Sequence, residues 1–203
     1  MKKYITEFIG TFFLVLAAGS ASGDHALLII ASALMVMVYA GGHISGGHYN
    51  PCVTLAILIR GRIGASDALV YMISQLAGAI AAAFLVGFFK EIPPQSIVVH
   101  DVAKAVVAEL LGTFALAYVV LNVATAKGTA GNSFYGLAIG FTVYFAGSLL
   151  GSLSGGAFNL AVAVGASVIK AFAWSNIWIY LVGCFGGAAL AALVFKMNNP
   201  DDK

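Results

Sequence analysis

Ser45-Gly46-Gly47-His48-Tyr49-Asn50 returns as Ser154-Gly155-Gly156-Ala157-Phe158-Asn159, 109 positions further on. Each copy ends in an asparagine that opens a short apolar run, NPCVTLAILI from Asn50 and NLAVAVGASVI from Asn159. Asparagine is a strong N-cap, because its side-chain oxygen accepts from a free backbone N–H of the first turn. Proline suits the first helical position, where its missing N–H costs nothing. Asn50-Pro51 is thus a well-formed helix start, whereas Asn159-Leu160 keeps the cap alone. About ten residues of helix rise roughly 15 Å, half of a hydrocarbon core ~30 Å thick. Neither run is long enough to cross a bilayer.

The chain around them is. Apolar residues make up 61% of it and charged residues 9%, with a mean hydropathy of +0.99. Soluble domains carry about a quarter charged residues, so this composition belongs to lipid. Six stretches reach the ~20 residues that spanning requires: 4–22, 26–43, 67–89, 102–125, 133–151 and 174–196. The first follows Lys2 and Lys3 as a secretory signal would, but Glu7 interrupts it and its Glu-x-x-Gly-Thr pattern recurs internally, so it is expected to stay as a helix. A net charge of +2 gives no case for a nucleic-acid partner. Cys52 and Cys184 fall in opposite halves with no metal-ligand spacing, and neither a disulfide nor a cofactor is expected.

The repeat extends past the hexapeptides. Glu7-x-x-Gly10-Thr11 matches Glu109-x-x-Gly112-Thr113 at an offset of 102, and Gly78-Ala79 matches Gly186-Gly187 at 108. Each half reads helix with a buried glutamate, helix, Ser-Gly-Gly loop, half-length helix, helix. The halves are expected at 1–95 and 96–203, joined in KEIPPQSIVVHD and together forming one domain. Three spans per half turn the second copy upside down. With a cytoplasmic N-terminus, Lys2, Lys3, Arg60, Arg62, Lys127, Lys196 and Lys203 lie inside and Lys90, Lys104 and Lys170 outside, as the positive-inside rule prefers. Both termini are then cytoplasmic. Inverted repeats with broken helices place related elements at the bilayer midplane, where exposed backbone groups form solute sites. Irregular backbone at that depth must be buried in protein or line a watery cavity, which points to a pore lined by carbonyls of Gly46, Gly47, His48, Tyr49, Ala157 and Phe158.

In these features the chain resembles the aquaporins, the major intrinsic protein family. SGGHYNPCVT is similar to the family's first SGxHxNPAVT signature, Glu-x-x-Gly-Thr of both halves to its first and fourth helices, and Gln75-x-x-Gly78 to its third. The resemblance implies an all-α membrane protein: a right-handed bundle of six transmembrane helices plus two re-entrant half-helices. It also implies a homotetramer in a cell membrane, with one pore per subunit, passing water or small neutral solutes without catalysis. Asn50 and Asn159 would donate hydrogen bonds to the solute at the pore midpoint.

The departures from the family pattern bear on the solute. Cys52 and Leu160 replace the alanine and proline of the two motifs, and Val162 stands where most members carry an arginine. Counted from the asparagines, the outer filter falls on Ile30, Gly147, Gly156 and Val162. That ring is wide and apolar, without a donor side chain or a fixed positive charge to repel cations. It favours a neutral solute at least as large as water: glycerol, urea, hydrogen peroxide, ammonia or an undissociated metalloid hydroxide. Cation exclusion would rest on the positive ends of the two half-helix dipoles. A secondary transporter or a pore closed by packing are the competing readings.

Glu7 and Glu109, as ionisable groups in apolar helices, suggest a proton relay by default. Their symmetric placement favours accepting hydrogen bonds from the dipping loops, whose N–H groups would otherwise be unpaired. His48 is expected to line the inner vestibule and Cys52 to be reachable from the lumen. Trp174, Trp178, Tyr71 and Tyr180 read as interfacial anchors.

Overall fold

The computed structural model describes residues 1–91 and 96–202, so the expected join at residue 95, and Lys203, lie outside it. Within the described residues the regular structure is helical: α1 (Lys2–Ser20), α2 (Ala26–Ser45), α3 (Pro51–Arg60), α4 (Ala65–Phe89), α5 (Val102–Thr125), α6 (Tyr135–Ser154), α7 (Leu160–Val168) and α8 (Ile177–Asn198). Short 3-10 turns occupy Lys127–Thr129 and Trp174–Asn176. Five helices, α2, α4, α5, α6 and α8 with the turn before it, are long and apolar enough to cross a membrane. α1 has comparable length at 19 residues and carries Lys2, Lys3 and Glu7. The fold is the expected one of six long helices and two short ones.

Both half-helices begin where the caps place them. Asn50 Oδ1 accepts from Cys52 N and Asn159 Oδ1 from Ala161 N, each at 2.9 Å. α3 runs ten residues and α7 nine. The stretch before each is shorter than expected, because α2 and α6 include Ser45 and Ser154 as their last residues. The stop comes one residue later, at Gly46 and Gly155, with left-handed φ of 90° and 92° and N–H groups bonded back to Gly42 O and Gly151 O. Glycine adopts that conformation at little cost.

Packing pairs the halves with each other. α1 lies along α4 and α5 along α8, while α3 packs on α8 and α7 on α4, so each half-helix is held by a long helix of the other half. Small residues let these backbones approach. A methyl on Gly78 would stand 2.4 Å from Phe8 O, and one on Gly187 2.2 Å from Leu110 O. Phe8 and Leu110 are 102 apart, so the matching glycines are Gly78 and Gly187, at an offset of 109. That corrects the sequence alignment at 108, where Gly186 stands beside the equivalent residue.

Contacts between loops sort the chain into two ends. At one, Lys3 pairs with Asp67, Arg60 and Arg62 with Asp202, and Lys127 N donates to Asp202. At the other, Lys90 meets Ser20 O, and Ser96 and Ile97 bond to the backbone of Lys170 and Ala171. The asparagine caps lie between.

Candidate functional site: two loops and the cavity between them

Each dipping loop hangs from one buried glutamate. Glu7 Oε1 accepts from Ser45 Oγ at 2.6 Å and His48 N at 3.0 Å, and Oε2 from Tyr49 N and Gln75 Nε2, both at 2.7 Å. Glu109 repeats the pattern: Ser154 Oγ at 2.6 Å and Ala157 N at 3.0 Å on one oxygen, Phe158 N at 2.7 Å and Cys184 Sγ at 3.2 Å on the other. Both carboxyl groups have no solvent exposure. Backbone N–H groups that no helix or sheet can satisfy at this depth thereby find acceptors. Every hydrogen-bond partner of the two carboxyls is a donor on a loop or a helix.

The symmetry breaks at the fourth donor. Gln75 and Cys184 are 109 apart, and an amide in the first half is replaced by a thiol in the second. Gln75 Nε2 also donates to Thr54 Oγ1 at 2.9 Å, and Thr54 Oγ1 lies 3.0 Å from Asn50 O and 3.1 Å from His48 Nδ1. With the single Thr54 proton on the Asn50 carbonyl, His48 Nδ1–H is the donor and Nε2 an acceptor. Ala157 and Ala163 occupy the matching places in the second half, which has no such chain.

Tyr49 and Phe158 sit at φ 48° and 46°, unusual for bulky residues and costing about 1–3 kcal/mol each. Three contacts hold each there. The glutamate takes the N–H, the opposite asparagine takes the carbonyl, and the ring is clasped by helix glycines. A methyl on Gly10 would lie 2.1 Å from the Tyr49 ring, and one on Gly112 2.2 Å from Phe158. Asn50 Nδ2 donates to Phe158 O and Asn159 Nδ2 to Tyr49 O, both at 2.9 Å. The two loops are therefore cross-tied through their caps. Each amide nitrogen carries two protons, so one on each remains.

Between the loops lies a cavity of about 220 Å³. Asn50, Asn159, Gly47, His48 and Ala157 line it, and so do all four expected filter residues, Ile30, Gly147, Gly156 and Val162. The rest of its wall is mostly aliphatic, including Leu34, Val53 and Val120, with Phe172 the aromatic exception. The four counted residues, from α2, α6, α7 and the second loop, thus line one cavity. Gly46 faces instead a second cavity of about 630 Å³, at the end that carries Arg62 and Lys127. Tyr49 and Phe158 do not line the first cavity, since their carbonyls are taken by the asparagine amides.

The expectations for Cys52, Tyr71 and Tyr180 are corrected. Cys52 has no exposure and lies in the apolar core, away from the lumen. Two residues along a helix turn the side chain by about 200°, to the side opposite the asparagine; Val53 reaches the cavity. Leu160 joins the same apolar cluster at 8% exposure. Tyr71 and Tyr180 are not interfacial: they are 3% and 1% exposed. Their hydroxyls donate to Ser45 O at 2.8 Å and Ser154 O at 2.6 Å, satisfying the last carbonyls of α2 and α6. Their 109-residue separation, the same as that of the hexapeptides, was the available signal. Trp174 and Trp178 are exposed, at 55% and 47%.

Sequence reasoning also gave no sign of the clamp at the loop end. The nearly buried Arg60 guanidinium donates to Asp202 O at 2.6 Å and Oδ1 at 2.7 Å, and Lys127 N to Asp202 Oδ2 at 2.7 Å. The Lys127 N–H foremost, with Arg60 adding to it, holds the Asp202 carboxyl below the ordinary carboxylate range.

The model of the family described as Major intrinsic protein matches residues 1–195. The chain belongs to that family. It is 37% identical to glycerol uptake facilitator protein-like 6 of Lactiplantibacillus plantarum, with the whole of both proteins aligned. Aquaporin NIP1-1 of Zea mays is 32% identical, with 97% of this chain and 74% of that protein covered. The X-ray structure of the aquaglyceroporin from Plasmodium falciparum matches at a TM-score of 0.83 over 98% of this chain and 97% of that one. At 22% identity that likeness concerns the fold. As a major intrinsic protein the chain is a passive membrane channel for water and small solutes, not an enzyme.

Proposed function

We propose that this channel conducts uncharged solutes of glycerol size, together with water, through the cavity in which Asn50 and Asn159 meet Ile30, Gly147, Gly156 and Val162. The observation that carries the proposal is the composition of that wall: two amides at its centre, and at its filter four residues without a charge or a donor side chain. Selectivity in such pores follows from diameter, from the donors and acceptors that line them, and from electrostatic barriers. A polyol presents hydroxyls to the two asparagine N–H groups and to the loop carbonyls, and its carbon backbone to the aliphatic wall. Urea, hydrogen peroxide, ammonia and undissociated metalloid hydroxides satisfy the same chemistry. Cations do not, because α3 and α7 both start at the centre and each carries about half a positive charge there.

The roles follow the contacts. Glu7 and Glu109 support the loops, Asn50 and Asn159 orient the solute, and Gly47, His48 and Ala157 line its path. The working unit is one channel built from inverted repeats 1–95 and 96–203, in a homotetramer of the cell membrane with both termini cytoplasmic. That orientation agrees with the collection of Lys3, Arg60, Arg62 and Lys127 at one end.

Stopped-flow swelling of proteoliposomes with water, glycerol, urea and arsenite tests the reading. Glycerol permeability well above that of protein-free vesicles is the result expected, with Val162→Arg shifting the preference toward water. Entry of no solute faster than through bare lipid defeats it, as does proton conductance comparable to water flux.

A further inference from the structure

We infer that Leu27 is a fifth wall of the filter and sets the upper size of the solute. The inference rests on the channel reading above. Counting from the asparagines gives a ring with two glycines in it, hence an opening with two side chains missing. The structure fills one of the gaps from elsewhere. A methyl built on Gly147 would stand 2.8 Å from Leu27 Cδ2, 3.6 Å from Cδ1 and 3.8 Å from Cγ, so the end of the leucine occupies the space that a side chain at Gly147 would take.

Leu27 lies in the first turn of α2 and lines the same cavity as Ile30, Gly147, Gly156 and Val162. It stands three positions before Ile30, which puts both on one face with Leu27 about 4.5 Å nearer the helix start. The chain enters α2 at the end opposite the Asp202 clamp, so a solute from that side meets Leu27 before Ile30. Nothing comparable fills the other gap: a methyl on Gly156 would meet Gly151 Cα at 3.0 Å and the Phe158 ring at 3.5 Å, and neither residue lines the cavity. The narrow point is then a ring of three aliphatic side chains, Leu27, Ile30 and Val162, and one open glycine side. A flexible leucine is the part of that ring that can give way.

The test compares proteoliposome permeabilities for water, glycerol and the larger polyols erythritol and ribitol in the parent, Leu27→Ala, Gly147→Ala and the double variant, with Leu28→Ala as control. Leu28 is 41% exposed and absent from the cavity wall. Leu27→Ala should raise the ribitol-to-glycerol ratio several-fold. Gly147→Ala should push the leucine into the lumen and lower glycerol flux in the parent, but not in the Leu27→Ala background, a non-additivity that only a shared site produces. Leu28→Ala should match the parent. A ribitol ratio unchanged in Leu27→Ala, or additive effects of the two substitutions, overturns the inference while glycerol flux in the parent leaves the channel reading intact. A parent that passes no solute overturns both.

Discussion

Replacing Glu7 by glutamine keeps the shape of the side chain and removes one of its two acceptor oxygens. Four donors converge on this carboxyl, two on each oxygen. Whichever way the amide turns, its NH2 faces two donors, at least one of them a backbone N–H of the loop. A hydrogen bond to a charged group contributes about 1.5–3 kcal/mol, so two orphaned donors cost roughly 3–6 kcal/mol. That is a large part of a typical stability of about 5–15 kcal/mol. At ~2–4 °C per kcal/mol for a chain of this size, melting falls by roughly 6–24 °C. Glu109→Gln is milder, because its amide can turn toward Phe158 N and Cys184 Sγ, and a thiol is a weak donor. About 2–3 kcal/mol is then lost. Heating the purified protein in detergent and following folded material by size exclusion measures both. The order Glu7→Gln below Glu109→Gln below parent is expected; parent-like melting of Glu7→Gln, or the reverse order, refutes the loop-support argument.

Cys52 has no exposure, so a membrane-impermeant thiol reagent should leave solute flux unchanged in the parent; inhibition that disappears in Cys52→Ala would put the thiol on the lumen after all. Gly187→Ala drives a methyl to within 2.2 Å of Leu110 O, whereas Gly186→Ala meets only Leu110 Cδ1 at 3.8 Å. The first should lower stability by about 1–3 kcal/mol and the adjacent one should not, read as melting in the same detergent assay. Asp202→Ala should free the C-terminus, read as faster trimming by carboxypeptidase. The folded pKa of Asp202 is depressed, so its clamp is complete above the unfolded value of about 4 and is lost only as pH falls below it. Trimming of the parent should therefore stay constant between about pH 5 and 8.

What the sequence made legible was local. An asparagine cap, a proline at the first turn and a glycine at a helix stop act through backbone geometry within a few residues, and α3 and α7 start where those signals stand. The 102 and 109 offsets carried the glutamate pair and the loop pair, because each pair answers to the same contact twice. The rotational setting of the long helices was illegible. Lipid and protein interior are equally apolar, so Phe84 at 69% exposure and Phe195 at 0% look alike in sequence. Tyr71 and Tyr180 were misplaced for that reason: a tyrosine near a span end fits a headgroup region and a buried carbonyl equally well. Leu27 and the Arg60–Asp202 clamp were missed because their partners lie far along the chain, at Gly147 and at the terminus, with no repeat to announce them.

The central claim is passive conduction, and the concentration dependence of radiolabelled glycerol uptake into proteoliposomes without any ion gradient tests it most directly. Initial rates should rise in proportion to glycerol concentration and stand well above those of protein-free vesicles. Rates that saturate, that require an ion gradient, or that equal bare lipid would contradict it.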